Sequence, residues 1–397
     1  MKYQKHWLLM FKLKHQINIY HLKNLEVKMT ISFEDQKINL ALGFIVSSGS
    51  LITAEPEPTL VSENIQKSLA SSKATANRFS LVWGPAVFRV GSVDKKTSVV
   101  DKKDDHVLFM VKDLKTPNDY RIVIRGSWSD VNWYDENFNV GKTENWSIWD
   151  SKAPKNAKIS KGIHVTLDYI INQIKSNNTP GYGESLIDAI DKIALEKGIQ
   201  NITLTGHSLG GVMASTLGLY LKRRYLDKGN NNIRINVCSF AAPTAGNDIF
   251  ASYTESVFNG TSLPSYESKF LRIHNRTDIV TLAWYTKGLE QIKALYPVLY
   301  LPVSGFLLLV KDKNYTQLFP DLPFTTPMLE PSPGFIEQLV FQHIEAYAKE
   351  YGMSFIKVND SSNLPTNYDI VVINDGLSRN INHFFSSMIQ DGAVDTR

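Results

Sequence analysis

The chain has one cysteine in 397 residues, Cys238 in "RINVCSFAAP". No intrachain disulfide can form, and the neighbouring apolar residues place that thiol on a buried strand rather than at a reactive surface. No stretch of about 18 uninterrupted apolar residues occurs. The most apolar candidate, 292–310 "IKALYPVLYLPVSGFLLLV", is broken by Pro297, Pro302 and Gly305, and reads as a helix end followed by buried strands. The adjoining "SGFLLLVKDKNYTQLF" then predicts a hairpin turning at "KDKN". The chain also lacks an HExxH pattern, a Cys/His cluster and a Gly-rich phosphate loop, so neither metal nor cofactor is expected. A strongly basic body is missing too. Residues 1–28 hold six lysines against one acid, net +5 of a total of +4, which leaves the remaining chain at −1 and gives no footprint for nucleic acid.

What is present is a soluble composition, 43% apolar and 21% charged, with ample length for a large core. "INLALGFIVSSGSLITA" (38–54) has the small, apolar character of a signal-peptide core, with Met29 as a possible start, although Glu34 and Asp35 stand where a basic region should be. Residues 1–28 also fit a basic membrane-surface segment. Export is the expectation, with 1–59 as an N-terminal extension, 60–397 as a single domain, and 353–397 as a C-terminal extension of undefined role.

Between these ends, β-rich and helical patterns alternate. "HVLFMVKD" and "DYRIVIRGS" read as strands across a polar turn. Residues 160–177 and 184–198 carry apolar residues at three- and four-residue spacing and read as helices. "NITLTG", "GGVMASTLGLYLKRRYL", "IRINVCSFAAP" and "KFLRIHNRTDIV" follow as strand, helix, strand and strand. That alternation predicts an α/β fold with a mostly parallel central sheet and helices on both faces.

One junction in this pattern carries chemistry. "GHSLG" (206–210) is G-x-S-x-G between a predicted strand and a predicted helix. On such a sharp turn the serine is lifted above the sheet edge, glycines on either side avoid clashes, and the helix N-terminus offers N–H groups to a developing oxyanion. Ser208 is therefore a candidate nucleophile, and it needs a base. Only His274, His343 and His383 follow it. With the order Ser, acid, His, Asp278 in "NRTDIV" stands at a strand end, whereas Asp227 lies in a charged helix tail and Asp312 in a turn. The base is then His343 or His383, and spacing does not choose between them.

These residues resemble the fungal-type class 3 lipase family of α/β-hydrolases. "IRGSWSDVNWYDE" is similar to its oxyanion segment, "GHSLGG" to its nucleophile motif, "SFAAPTAGND" to its F-[G/A]-x-P-x-x-G-N segment, "NRTDIV" to its N-x-x-D-x-V, and "QHIEAYAKEYG" to its C-terminal histidine followed by a tyrosine-bearing helix. "GIHVTL" keeps a histidine, His164, where the family has H-x-G-F, but lacks the Gly-Phe pair. The likeness spans about 107–352. It implies an α/β-hydrolase fold, Ser208 as nucleophile, Asp278 as orienting acid and His343 as base. It further implies Ser127 and Leu209 as oxyanion donors through their backbone N–H groups. His207 and His164 read as structural, the latter hydrogen-bonded to a loop.

The implied activity is hydrolysis of lipid esters, acylglycerol or phospholipid, through an acyl-enzyme. Segment 127–160 holds Trp128, Trp133, Trp146 and Trp149 in polar surroundings, which suits a lid touching a lipid–water interface. A short-chain or aryl esterase, an acyltransferase and a catalytically inactive lipid- or protein-binding hydrolase fold are the alternatives.

Overall fold

A computed structural model describes residues 31–48, 58–88, 106–126, 139–259, 268–330, 334–359 and 361–373. Its centre is a seven-stranded sheet: β1 (Phe79–Phe88), β2 (His106–Asp113), β3 (Asp119–Ile124), β4 (Gln200–His207), β5 (Ile233–Phe240), β6 (Phe270–Asn275) and β7 (Asp321–Phe324), in that spatial order. The first three strands pair antiparallel, and β3 to β7 run parallel. The parallel strands are covered on both faces, which is why "YRIVI" and "INVCSF" read as near-continuous apolar runs instead of alternating. Cys238 lies fully buried on β5, and burial raises its thiol pKa above the usual value.

The helices are α1 (Phe33–Ile45), α2 (Pro58–Ser71), α3 (Lys161–Asn172), α4 (Leu186–Ile193), α5 (Leu209–Asp227), α6 (Asp248–Asn259), α7 (Ile279–Leu282), α8 (Thr286–Leu295), α9 (Tyr300–Val310), α10 (Phe335–Val340) and α11 (Ala346–Glu350). Ser32 caps α1 by accepting the Asp35 N–H, and Glu34 and Asp35 suit the positive end of the helix. Register sets the functional edge. Ile124 pairs with Gly206 and His207 with Phe240, so the loops leaving β3, β4 and β5 emerge level with one another. The carboxyl ends of parallel strands are where such sheets present their sites.

Three expectations from the sequence change here. Helix α1 is part of the core, not of an extension: Leu40, Ala41, Leu42 and Ile45 are fully buried, and the Thr205 hydroxyl donates to the Asn39 carbonyl at 3.3 Å. A helix apolar on nearly all sides is one that is surrounded, and burial accounts for the apolar run in 38–45. Among the described residues no helix is long and apolar enough to cross a membrane.

The C-terminal segment is likewise integrated. Strand Ile370–Ile373 is buried, pairs with Phe355–Val358, and ties to the N-terminal region through Val371 N–H to Ser72 Oγ (2.8 Å) and Ile373 N–H to Ser48 Oγ (3.2 Å).

The hairpin expected at "KDKN" is instead the end of helix α9. Pro302 sits in its first turn, where the missing N–H has no intrahelical partner to lose.

Deleting residues through Thr53 is expected to abolish cooperative thermal unfolding, and Leu42→Ala to cost about 2–5 kcal/mol of stability. Circular dichroism melts of both variants, with the intact mass of the active protein, check this. An active form lacking α1 with an unchanged melting temperature would refute it.

Candidate active site

Ser208 follows β4 directly and precedes α5, with φ 60° and ψ −128°, a conformation costly for any residue with a Cβ. Its neighbours remove every other obstacle. A Cβ at Gly206 would lie 2.5 Å from the Gly210 carbonyl carbon, and one at Gly210 only 2.1 Å from the Ile124 carbonyl oxygen. One at Gly126 would sit 2.9 Å from the His207 oxygen and 3.3 Å from Ser208 Cβ. The Ser208 N–H donates to the Phe240 carbonyl at 3.0 Å, and its own carbonyl accepts from Gly211 at 2.9 Å. The backbone is thus held from both sides while the serine is pushed out at the sheet edge.

Leu209 is the first residue of α5, where N–H groups stand outside the intrahelical ladder. Ser127 lies outside the described residues, as do Trp128, Trp133 and His383. Gly126, immediately before Ser127, is pressed against the serine turn.

Asp278 leaves β6 and caps α7, its Oδ1 accepting the Val280 N–H at 3.0 Å. Its Oδ2 accepts from His343 Nδ1 at 2.8 Å and from the Tyr347 hydroxyl at 3.0 Å. Both Asp278 and His343 are essentially inaccessible to solvent. A carboxylate accepts, so His343 carries its proton on Nδ1 and leaves the Nε2 lone pair free. That Nε2 is buried without a hydrogen-bond partner among the described residues, Ser208 Oγ included. In unliganded sites such bonds are commonly long and close only around substrate.

The base rides on a π-helical turn, Phe341–Glu345, between α10 and α11. Such turns are often found at functional positions. The neighbour of His343 on that turn, Gln342, is fully buried and locks it to the acid loop. Its Oε1 accepts from Asn275 Nδ2 (2.6 Å) and Thr277 Oγ1 (2.7 Å), and its amide donates to the Pro327 carbonyl (3.0 Å).

The Tyr347 hydroxyl also accepts the Asn275 N–H at 3.0 Å. Burial and the Asp278 charge raise its pKa well above the usual value, so it stays a donor. The sequence carried this tyrosine only as part of a resemblance, and nothing in it singled out Gln342.

His207, expected to be structural, is fully buried and donates from Nε2 to the His343 carbonyl at 2.7 Å, its ring 4.6 Å from that of His343. Burial, then the nearby His343, hold its pKa well below the usual range, so it remains neutral. The His164 ring packs tilted against Trp149 at 4.9 Å, and its Nδ1 is buried without a hydrogen-bond partner among the described residues. Trp146 is core, packed on Trp149 and Phe250, and strands 143–145 and 158–160 pair with each other. Residues 139–160 therefore pack onto the body, and the part of the expected lid segment before Asn139 lies outside the described residues. No group of three or more potential metal-binding side chains is found among the described residues.

Residues 121–287 match the class 3 lipase family. Among solved structures, the M37 lipase superposes with a TM-score of 0.67 at 25% identity, over 80% of this chain and 92% of that one. The Yarrowia lipolytica Lip2 lipase gives 0.46 at 17% identity, over 74% of this chain and 79% of its own. No curated protein sequence matches.

Tyr347→Phe keeps the ring but strands the Asn275 N–H and removes one donor from Asp278. It is expected to lower stability by about 1–3 kcal/mol in urea denaturation and to reduce kcat on any substrate with KM little changed. An unchanged urea midpoint would show that the hydroxyl contributes nothing.

Proposed function

Because residues 121–287 of this chain match the class 3 lipase family, on an α/β-hydrolase fold, we propose that Ser208, His343 and Asp278 are its catalytic triad. The reaction class follows from that match and from the likeness to the M37 lipase: a serine lipase hydrolysing carboxylic esters of lipids. The observation that carries the residue assignment is the fully buried Asp278–His343 pair, whose free Nε2 belongs to the same strand-end region as the strained serine turn.

In the proposed mechanism His343 Nε2 takes the Ser208 proton as Oγ attacks the ester carbonyl. The oxyanion is held by the N–H groups of Leu209 and Ser127, each worth roughly 3 kcal/mol of barrier. Asp278 keeps the proton on Nδ1 and stabilises the imidazolium. The tetrahedral adduct expels the alcohol, which receives its proton from His343. Water, deprotonated by the same nitrogen, then cleaves the acyl-enzyme to release the acid and restore the serine.

Acylglycerol or phospholipid is the preferred substrate class, and short-chain or aryl esters are the alternative. Contact with a lipid–water interface belongs to this proposal. Within 127–160 Trp146 takes no part in it, since 139–160 pack as a small sheet around that buried side chain.

Ser208→Ala is expected to lower kcat by about four to six orders of magnitude on a graded series of p-nitrophenyl esters and on emulsified triglyceride, and to abolish fluorophosphonate labelling. Activity rising with chain length supports a lipase, and a short-chain preference supports the esterase alternative. Product analysis with an added acceptor alcohol identifies acyl transfer. A wild type that neither hydrolyses nor labels would leave a binding module.

A further inference from the structure

Helix α9, "YLPVSGFLLLV", contains no charged residue, yet only part of it is buried. Val303 and Val310 face inward, and Phe306 packs on Trp284 at 5.3 Å. The opposite face carries Leu301 (62% exposed), Gly305 and Leu308 (69%), with Leu309 (50%) beside them and Tyr300 and Val298 exposed at the leading end. A surface helix normally places polar residues there, and a contiguous apolar face of this kind marks a contact surface.

Its surroundings identify the partner. The segment hangs from the acid loop, because the Tyr296 hydroxyl donates to the Thr277 carbonyl at 2.9 Å, one residue before Asp278. At its far end Leu309 comes within ordinary contact of Gly141, at 3.7 Å from where a Cβ would stand. Two exposed cations border the apolar face, Lys311 directly after the helix and Lys142 after Gly141, whereas Lys293, 4.5 Å over the Tyr300 ring, is paired with Glu290 at 3.0 Å. Leucines projecting outward, an exposed tyrosine and a lysine rim are the composition that seats a helix at a lipid headgroup boundary, with cations meeting anionic headgroups.

We propose that α9 docks the enzyme on a lipid surface, Leu301, Leu308 and Leu309 entering the acyl region and Lys311 and Lys142 meeting the headgroups. This rests on the lipid-ester reading of the site and adds to it a surface centred on α9, outside the segment 127–160, to which that segment contributes Lys142. It also lies beyond the end of the family match at residue 287. The docked geometry would hold the acid-loop side of the site against its substrate phase.

The test uses the full-length protein and a Leu301→Asp/Leu308→Asp double variant, both changes being on exposed positions. Binding is read by sedimentation with mixed phosphatidylcholine–phosphatidylglycerol vesicles, in a Ser208→Ala background so that hydrolysis does not alter the vesicles. Activity is read in the parent background on a soluble short-chain ester and on an emulsion. The expected result is about a tenfold or greater loss of vesicle binding and emulsion hydrolysis, with soluble-ester turnover changed less than about twofold.

Unchanged vesicle binding in the double variant overturns the proposal. So does a parent dimer, seen by sedimentation velocity, that the variant converts to monomer without altering vesicle binding, since the face would then join two copies. If no ester is hydrolysed but vesicle binding is present and lost in the variant, docking stands and the triad assignment falls.

Discussion

The whole site depends on a close approach of backbones that only glycine permits. The Ile124 carbonyl reaches so far toward the start of α5 that position 210 has no room for a Cβ, and Gly206 is pinched between that carbonyl and Gly210 itself. This contact fixes the angle between β4 and α5, and the angle forces Ser208 into its positive-φ conformation. Strain of about 1–3 kcal/mol is held there because the surrounding sheet overdetermines the backbone. The same approach brings Gly126 against the serine, so the strand end before Ser127 is located by the turn and not independently of it.

The acid and base come from segments 65 residues apart, and nothing local holds them together. The structure does this with a buried polar network. Asp278 is saturated by Val280, His343 and Tyr347, while Asn275, Thr277 and Gln342 bind one another behind it. In a low-dielectric interior such a network is stabilising only when each member is satisfied. The one atom it leaves open is His343 Nε2, the atom that must exchange a proton. The π-helical turn has a role in this geometry. A regular α-helix already puts His343 and Tyr347 on one face but turns Gln342 about 140° away from Tyr347; with the wider turn all three reach the acid loop.

How much of this the sequence disclosed follows from the range of each interaction. The strand–turn–helix around Ser208 was legible because its determinants, two glycines and an apolar strand, are contiguous. The acid, Asp278, was legible from its strand-end setting, and the resemblance to a known family then supplied the base, since residue spacing left His343 and His383 equal. Gln342 was not legible: a glutamine on a helical pattern reads as surface, and only tertiary packing buries it. Trp146 misled for the opposite reason, because its polar neighbours suggested an exposed loop while a small sheet folds it inward. Residues 300–310 failed as strands because leucine and valine runs carry little period information, and the proline that argued for a break is tolerated in a first helical turn.

The terminal segments change what the catalytic unit must be taken to include. Phe44 of α1 lies 5.0 Å from the His207 ring, and His207 holds the backbone carbonyl of His343 while its ring packs on the base. Tyr351, just after α11, donates at 2.7 Å to Gln36 in α1. The N-terminal helix therefore forms the rear wall of the element that carries the base. Burial, then the nearby His343, hold the His207 pKa well below its usual value. A charged imidazole there would repel the imidazolium that His343 becomes during turnover. The packing of α1 thus reaches the base through His207, whose ring is enclosed by Phe44, His343 and Tyr347 and so is kept from water, which disfavours its charged form.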